Sequence, residues 1–424
     1  MDRHLFTYIQ RTIPSMALNR LWIFFFLLAF LTAAVRLATG DTEIFKVIID
    51  GVFDAANTSV QIAIGLIGVM ALFLGFMNIG EKAGAVNFLS RIIGPFFNKL
   101  FPDVPKNHPS MGHMVMNFSA NLLGLDNAAT PFGLKAMQSL QEINPQKDTA
   151  SNAQIMFMVL HASGLTIIPV SIIAQRAILK SHDATSIFIP CMIATFAATV
   201  VALVVVSIRQ KINLFQLVIL AWVCGISLLI AGLVMALHMH SSYIDPFSKV
   251  FSNGLIFLLF VVFIVGGIVK KVNVYEAFIE GAKQGFQVAV TIIPYLVAML
   301  VAISVLRSCG VLDYIIHGIG AFFSFLHVNT DFVPSLPTAL MRPLSGAAGR
   351  AMMIDTMKQY GPDSFQGQLA CVFQGTADST FYIAALYFGS VGITKIRYAI
   401  PAALIADLAA IVTAILVSYL FFAP

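Results

Sequence analysis

Two stretches of this chain, Gln154–Thr166 (QIMFMVLHASGLT) and Gln368–Thr380 (QLACVFQGTADST), decide how the rest is read. Each starts apolar and turns into glycine and hydroxyl residues midway along a run long enough to cross a bilayer. Working outward, other pieces match in the same order. Gly80 pairs with Gly310, Gly94-Pro95-Phe96-Phe97 with Gly320-Ala321-Phe322-Phe323, and Asn127-Ala128-Ala129 with Gly346-Ala347-Ala348. The offset between partners narrows along the chain, as short gaps in loops produce. A duplicated set of membrane helices, each copy carrying a broken helix, is the pattern of a secondary transporter.

The composition supports a membrane setting. Of 424 residues, 58% are hydrophobic and 11% charged, with a mean hydropathy of +0.88. A soluble chain carries about a quarter charged residues, so an integral membrane protein is expected. A helical crossing needs roughly 20 apolar residues. The candidate runs are Leu21–Val35, Ser59–Gly80, Ala153–Gln175, Ile187–Ile208, Leu214–Leu237, Val250–Val269, Phe286–Leu306, Leu369–Thr394 and Tyr398–Ala423. The first is short and extends past Arg36 by snorkelling. No cleaved signal peptide is read at the N-terminus. Cys191, Cys224, Cys309 and Cys371 stand singly, which gives neither a disulfide framework nor a metal motif. The net charge of +5 suits basic cytoplasmic loops and says little about nucleic acid, which is not expected as a partner.

Lysine and arginine set the expected orientation. Arg3, Arg11 and Arg20 place the N-terminus in the cytoplasm of a bacterial inner membrane. Asp41, Glu43, Asp50 and Asp54 suit the outside, and Lys82, Arg91, Lys99 and Lys106 return inside. Arg209 with Lys211, Lys270 with Lys271 and Lys283, and Lys395 with Arg397 follow inside, whereas Arg176 and Lys180 fall outside against the rule. On this map Ser59–Gly80 runs inward and its partner Phe286–Leu306 runs outward. The repeats are therefore expected to be inverted about an axis in the membrane plane.

Each repeat reads as a spanning helix, a short amphipathic helix, a hairpin and a broken helix. Ala85–Leu100 and its partner Leu312–His327 are the amphipathic, interfacial pieces. His108–Leu140 and Val333–Gln359 are too rich in proline, glycine and polar residues to span. Both read as re-entrant hairpins, with tips at Ser119–Asn127 and Arg342–Gly349. The expected division is 1–50 for an N-terminal segment and first crossing, 51–210 for the first repeat, 211–280 for connecting helices, and 281–424 for the second repeat with a final crossing.

Within the crossings, His161, Asp378 and Asp407 are the ionisable residues well away from the ends. A charge at the bilayer centre costs about 2.5–3.5 kcal/mol on insertion scales, so such residues usually have work to do. Asp378 lies in the second break, opposite Gly164 of the first, and reads as a proton, sodium or substrate site; the bland alternative is an acid bonded to nearby carbonyls. His161, counterpart of Gly375, reads equally as a ligand, a proton relay or a neutral side chain serving a neighbouring helix. Asp407 is expected to pair with another helix. At the tips, Asn121, Asp126, Asn127, Thr130 and Ser345 offer polar groups. Arg342 is read either as an anion-binding fork or as the partner of Asp355. Asn117 and Asn121 can also simply close the hairpin backbone. Ser163, Thr166, Gln374, Thr376, Ser379 and Thr380 complete the candidate substrate site.

With these residues in view, the chain resembles a fusion of spore maturation proteins A and B, of the nucleoside-recognition or gate group of membrane proteins. Asn117–Met137 (NFSANLLGLDNAATPFGLKAM) is similar to the first; Pro343–Met352 and Gln374–Thr380 (QGTADST) are similar to the second. The resemblance runs from about Asp50 to Leu408. It implies an all-α integral membrane fold resembling the gate and transport domain of concentrative nucleoside transporters, with two re-entrant hairpins, two broken helices and a mobile body. No nucleoside-contacting motif is matched residue by residue.

The expected function is an elevator-type secondary transporter of a small polar solute, nucleoside, amino acid or peptide, coupled to H+ or Na+. The alternative is a channel-like gate, or a non-transporting protein of envelope or spore maturation. An enzyme is not expected, since neither a nucleophile–base pair nor a metal cluster is read. No Walker-type GxxxxGK[ST] occurs, which argues against ATP-driven transport. No cofactor is expected; membrane lipid and a homo-oligomeric partner are compatible with the sequence.

Overall fold

The computed structural model describes residues 3–105, 107–122, 126–166, 169–238 and 244–422. Among these the chain is all-helical, with a lone bridge between Thr149 and Lys395 as its β-type pairing. Among the described residues three helices are long and apolar enough to cross a membrane: Ile44–Lys82 (α2), Phe188–Gln210 (α8) and Ala399–Phe422 (α17). A fourth is available if Ile293–Ser308 and Val311–Phe325, bent by 72°, count as one span. Trp22–Ala38 in α1 (Arg3–Ala38), Leu217–Gly232 in α9 (Leu217–His238) and Ile256–Val269 in α10 (Ile244–Val269) are shorter apolar pieces. The chain is thus a multi-pass membrane protein. The runs at Ala153–Gln175 and Leu369–Thr394 are each split in two, which removes both from the unbroken spans.

The most extensive helix–helix contact is between α2 and α11 (Val274–Ser308), which pack antiparallel along most of their length. Ser304 Oγ donates to Gly51 O (2.8 Å) near the start of α2, and Asn78 Nδ2 donates to Ala277 O (2.6 Å) near its end. Between them glycines let the backbones touch. A methyl on Gly285 would lie 2.6 Å from Met70 C, and one on Gly281 2.2 Å from Leu74 O. Inside a bilayer, helices have little hydrophobic drive to associate, and this close approach supplies the packing instead.

Both members of the pair turn sharply into an amphipathic helix. Gly84, at φ +89°, stands before α3 (Ala85–Leu100), and Gly310, at φ +84°, before α12 (Val311–Phe325). Only glycine adopts such a left-handed turn without strain. The equivalent of Gly310 is therefore Gly84; Gly80 lies buried inside α2 against the ring of Phe263. On α3, Phe88 and Ile92 are exposed while Ile93, Phe97 and Leu100 are buried.

The first broken helix is α6 (Asn152–Ala162) followed by α7 (Val170–Ile178); the second is α15 (Phe365–Gly375) followed by α16 (Thr380–Ser390). Ser151 and Ser364 cap α6 and α15 through the N–H groups of Gln154 and Gly367. At their far ends Ser163 Oγ donates to Leu160 O (3.1 Å) and Thr376 Oγ1 to Phe373 O (2.9 Å). If the two segments are paired by these caps, Gln374 falls opposite His161 and Leu165 opposite Asp378, one residue from the alignment expected above.

α17 measures where the four half-helices begin and end. At its start, Gln210 of α8 donates to Tyr398 OH (2.9 Å) and to Asn152 O (2.7 Å), so α6 begins at that end. Near its finish Tyr419 packs on Phe365, with ring centroids 4.7 Å apart, so α15 begins at the other end. From 398 to 419 a helix rises about 32 Å, close to the roughly 30 Å of hydrocarbon in a bilayer. α6 and α15 enter from opposite ends and meet between, where Asp378 N donates to Ala162 O (2.8 Å).

Two hairpins close on that meeting point. α4 (Pro109–Leu122) packs against α5 (Asp126–Ile143), and α13 (Leu336–Met341) against α14 (Gly346–Tyr360). Ser345 caps α14 by accepting from Ala348 N (3.3 Å). The chain reversal of the second hairpin falls at Arg342–Ser345, within the expected tip. The expected tip of the first, Ser119–Asn127, lies partly outside the described residues.

Candidate functional site

The site is built from the loose ends of helices. Where α6 and α15 stop, their last carbonyls and the first N–H groups of the next segment lack helical partners. Asp378 N answers one of them through Ala162 O, and Phe381 N donates to Pro343 O (3.1 Å) of the second hairpin. The Asp378 carboxylate accepts from Ser379 N (2.7 Å). It then faces two basic side chains: Oδ2 lies 3.7 Å from His161 Nε2, and Oδ1 lies 3.7 Å from Arg342 Nη1. The Asp378 side chain is 40% exposed, against 4% for His161 and 14% for Arg342. It is the open face of an otherwise enclosed cluster.

Both neighbours are held from behind. Arg342 Nε donates to Gln374 O (2.9 Å) and Nη1 to Ser379 Oγ (3.0 Å). His161 Nδ1 lies 3.0 Å from Asn117 Oδ1 and 3.2 Å from Tyr387 OH. Asn117 in turn donates to Ala129 O (2.6 Å) and to Tyr387 OH (3.2 Å). Tyr387 stacks on Phe157 at 5.4 Å and fills the space beside Gly133, where a methyl would fall 2.0 Å from its hydroxyl oxygen. The first hairpin, the first break and the second broken helix thus meet at one imidazole.

Of the residues expected to form the site, His161, Arg342, Gln374, Asp378 and Ser379 come together. Asn121 is buried against Gly164. Thr130 is half-buried on α5. Ser163, Thr376 and Thr166 turn their hydroxyls onto nearby carbonyls, the last onto Gly164 O (3.2 Å). Ser345 is spent as a cap. Thr380 donates to Asp407 Oδ2 (2.7 Å), so Asp407 serves a neighbouring helix as expected, while its Oδ1 is buried without a partner. Gln374 Nε2 donates to Gly346 O (3.3 Å), and its Oε1 is likewise buried and unpaired. The side chains of Asp126 and Asn127 lie outside the described residues. Asp355 is the partner of Arg307 on α11, which removes it as a partner for Arg342.

Three residues escaped the sequence reading. Tyr387 sits in an apolar run with nothing to mark it. Asn117 closes the hairpin, as considered above, but also positions His161. Arg176, which broke the charge rule, is fully buried where α7 ends. Its guanidinium donates to Pro362 O (2.6 Å), Ser181 Oγ (2.8 Å), Asp183 O (3.0 Å), Ser186 Oγ (3.1 Å) and Asp363 Oδ1 (3.1 Å). This cluster clasps the end of the first broken helix to the start of the second. Burial raises the Asp363 carboxyl, but hydrogen bonds from Ser181 and the His182 N–H, with the charge of Arg176, outweigh it and hold Asp363 below the usual carboxylate range.

The opposite end has its own clasp. Thr394 N and Lys395 N donate to Asp148 O (3.0 and 2.9 Å), Ala150 N donates to Lys395 O (2.9 Å), and Lys395 Nζ pairs with Asp148 Oδ2 (2.7 Å). The hydrogen bonds from Lys395 and Thr149 hold the exposed Asp148 low. The four half-helices are thereby tied to one another at both ends and at the crossing.

The family model described as Gate, nucleoside recognition, matches residues 63–208 and 289–394, so each match spans one broken helix. Spore maturation protein B of Bacillus subtilis (strain 168) is 47% identical over 156 residues, covering 37% of this chain and 86% of that protein. Spore maturation protein A of the same organism is 38% identical over 156 residues, covering 37% of this chain and 80% of that protein.

Proposed function

The chain belongs to the nucleoside-recognition gate family, and on that premise we propose that it is a secondary active transporter of a small polar solute, coupled to H+ or Na+. The observation that carries the reading is the meeting of α6 and α15 at Asp378. Two helices entering from opposite ends and breaking at the same depth leave a half-exposed carboxylate between a histidine and an arginine. A charged group at that depth is costly unless it handles a solute or an ion. The substrate class is a nucleoside, amino acid or peptide, bound near the bilayer midplane by Asn121, His161, Arg342, Gln374, Asp378 and Ser379.

In the same proposal the two halves are inverted repeats, α4–α5 and α13–α14 are re-entrant hairpins, and the clasped half-helices move as one body past α2 and α11 in elevator fashion. The antiparallel course of α2 and α11, and of α6 and α15, supports this. The protein lies in the inner membrane with its N-terminus in the cytoplasm. It works without cofactor or enzymatic chemistry.

The test is a thermal-shift screen of the purified protein against nucleosides, amino acids, peptides and nucleotides, at several pH values and sodium concentrations. A bound ligand stabilises by RT ln(1 + [L]/Kd). A hit is then followed in proteoliposomes. Asp378→Asn keeps shape and removes charge, so it should leave the protein folded and abolish uphill accumulation. Wild-type accumulation by that variant would remove Asp378 from the coupling site.

The relatives' names favour a second reading, a role in spore or envelope maturation without transport. Absence of any ligand-induced shift, and of any solute uptake, would favour it.

A further inference from the structure

We propose that His161 is the proton-binding group of this site, that a proton on its Nε2 ties the first broken helix to Asp378 of the second, and that the coupling ion is accordingly H+ and not Na+. The proposal rests on the transporter reading above and names its ion.

The hydrogen-bond pattern dictates where the proton goes. Asn117 Nδ2 is committed to Ala129 O at 2.6 Å. Its Oδ1 is therefore the atom facing His161 Nδ1 at 3.0 Å, and an amide oxygen only accepts. A hydrogen on Nδ1 satisfies that oxygen; on the other tautomer Nδ1 would accept from Tyr387 OH at 3.2 Å but set its lone pair against Asn117 Oδ1, so the geometry favours Nδ1–H. In the neutral ring Nε2 is then a bare lone pair pointing at Asp378 Oδ2, 3.7 Å away. That distance is too long for a hydrogen bond. Two lone pairs facing each other have no reason to close it. A proton added to Nε2 converts the gap into an attraction between imidazolium and carboxylate.

Asp378 is balanced between two partners. Oδ2 is 3.7 Å from His161 and Oδ1 is 3.7 Å from Arg342, whose guanidinium is anchored by Gln374 O and Ser379 Oγ. Arg342 is always charged, so only His161 can alter the balance. The polar groups facing the ring come from three elements: Asn117 on α4, Asp378 in the break and Tyr387 on α16. Arg342 faces the other carboxylate oxygen of Asp378, and Asp407 accepts from Thr380, two residues further on. The imidazole is 4% exposed and Asp378 40%, so the proton enters along the carboxylate.

The same geometry disfavours sodium at Asp378. A hard cation needs a shell of oxygens. Here Oδ1 already accepts from Ser379 N and faces a guanidinium, and Oδ2 faces an imidazole. A sodium ion would sit beside a fixed positive charge with one carboxylate oxygen to hold it.

The experiment is nitrogen NMR of the full-length protein in nanodiscs, with 15N-histidine labels and His161→Gln to identify its signal among the nine histidines. His161 should start as the Nδ1–H tautomer and become imidazolium between about pH 8 and about pH 4. Asp378→Asn should weaken its proton affinity at least about tenfold, one pH unit. Exchanging choline chloride for sodium chloride at equal ionic strength should leave the midpoint in place. A His161 that stays neutral in the folded protein at pH 4, a midpoint unmoved by Asp378→Asn, or a midpoint displaced by sodium would each overturn the proposal. The sodium comparison does not use Asp378→Asn, so it stands if that variant fails to fold. None of these readouts uses a substrate. A failure of the transporter reading, with no solute accumulated, is therefore distinguishable from a failure of this one.

Discussion

Removing the guanidinium of Arg176 should cost more than any other single charged side chain outside the central site. The side chain is fully buried and its fork serves five acceptors on two loops, with Asp363 the one carboxylate among them. Breaking a buried pair by deleting one partner costs about 3–5 kcal/mol, because the other is left uncompensated. Asp363 is 30% exposed and regains some water, which moves the expectation for Arg176→Met to the lower half of that range. The carbonyls of Pro362 and Asp183 regain less, at about 1–3 kcal/mol for each buried group left unsatisfied. A loss of about 3 kcal/mol is therefore expected, and about 1–2 kcal/mol for Arg176→Lys, which keeps the charge and loses the fork. Unfolding in mixed micelles by SDS titration, run as a double-mutant cycle with Asp363→Asn, measures both the total and the pair's own share. A loss below about 1 kcal/mol for Arg176→Met would refute the clasp. It would mean that the loops hold together without it.

Three further outcomes are expected. Asp363 is held low in the folded protein, so its contribution is fully present above its unfolded value of about 3.9 and disappears as pH falls through the lower folded value. The melting-temperature gap between wild type and Asp363→Asn should be wide at pH 7 and close in acid; a constant gap would dismiss the ionic part. Gly285→Val drives a side chain into the backbone of Met70 and Ala71 and should destabilise by at least the 1–3 kcal/mol typical of overpacking, whereas Gly225→Ala, with open space around it, should be near neutral. Equal stability of the two variants would show that α2 and α11 do not rely on that contact. Finally, cysteines introduced at Lys283 and Asp331 should react with impermeant thiol reagents from the cytoplasm and from outside respectively, as the lysine and arginine distribution implies. Labelling of both from one side would make the repeats parallel.

The sequence by itself determined what depends on composition and local pattern. A chain so poor in charge must lie in a membrane, and the breaks at Ser163–Pro169 and Thr376–Ser379 follow from glycine, proline and hydroxyl residues that no uninterrupted apolar helix would place together. The positions of α3 and α12 and of the two helical hairpins follow in the same way, because turns are decided within a few residues. Tertiary structure alone decided what depends on which surfaces touch. The caps at Ser151 and Ser364 were not read from the sequence, and pairing the segments by them sets Gln374 opposite His161. Tyr387 and Arg176 gave no usable signal, one hidden in an apolar run and the other misplaced by a rule that counts charges without knowing their partners. Asp378 was legible as costly, but its balance between His161 and Arg342 was not, because a 3.7 Å contact between residues 217 positions apart belongs to the fold and not to the string.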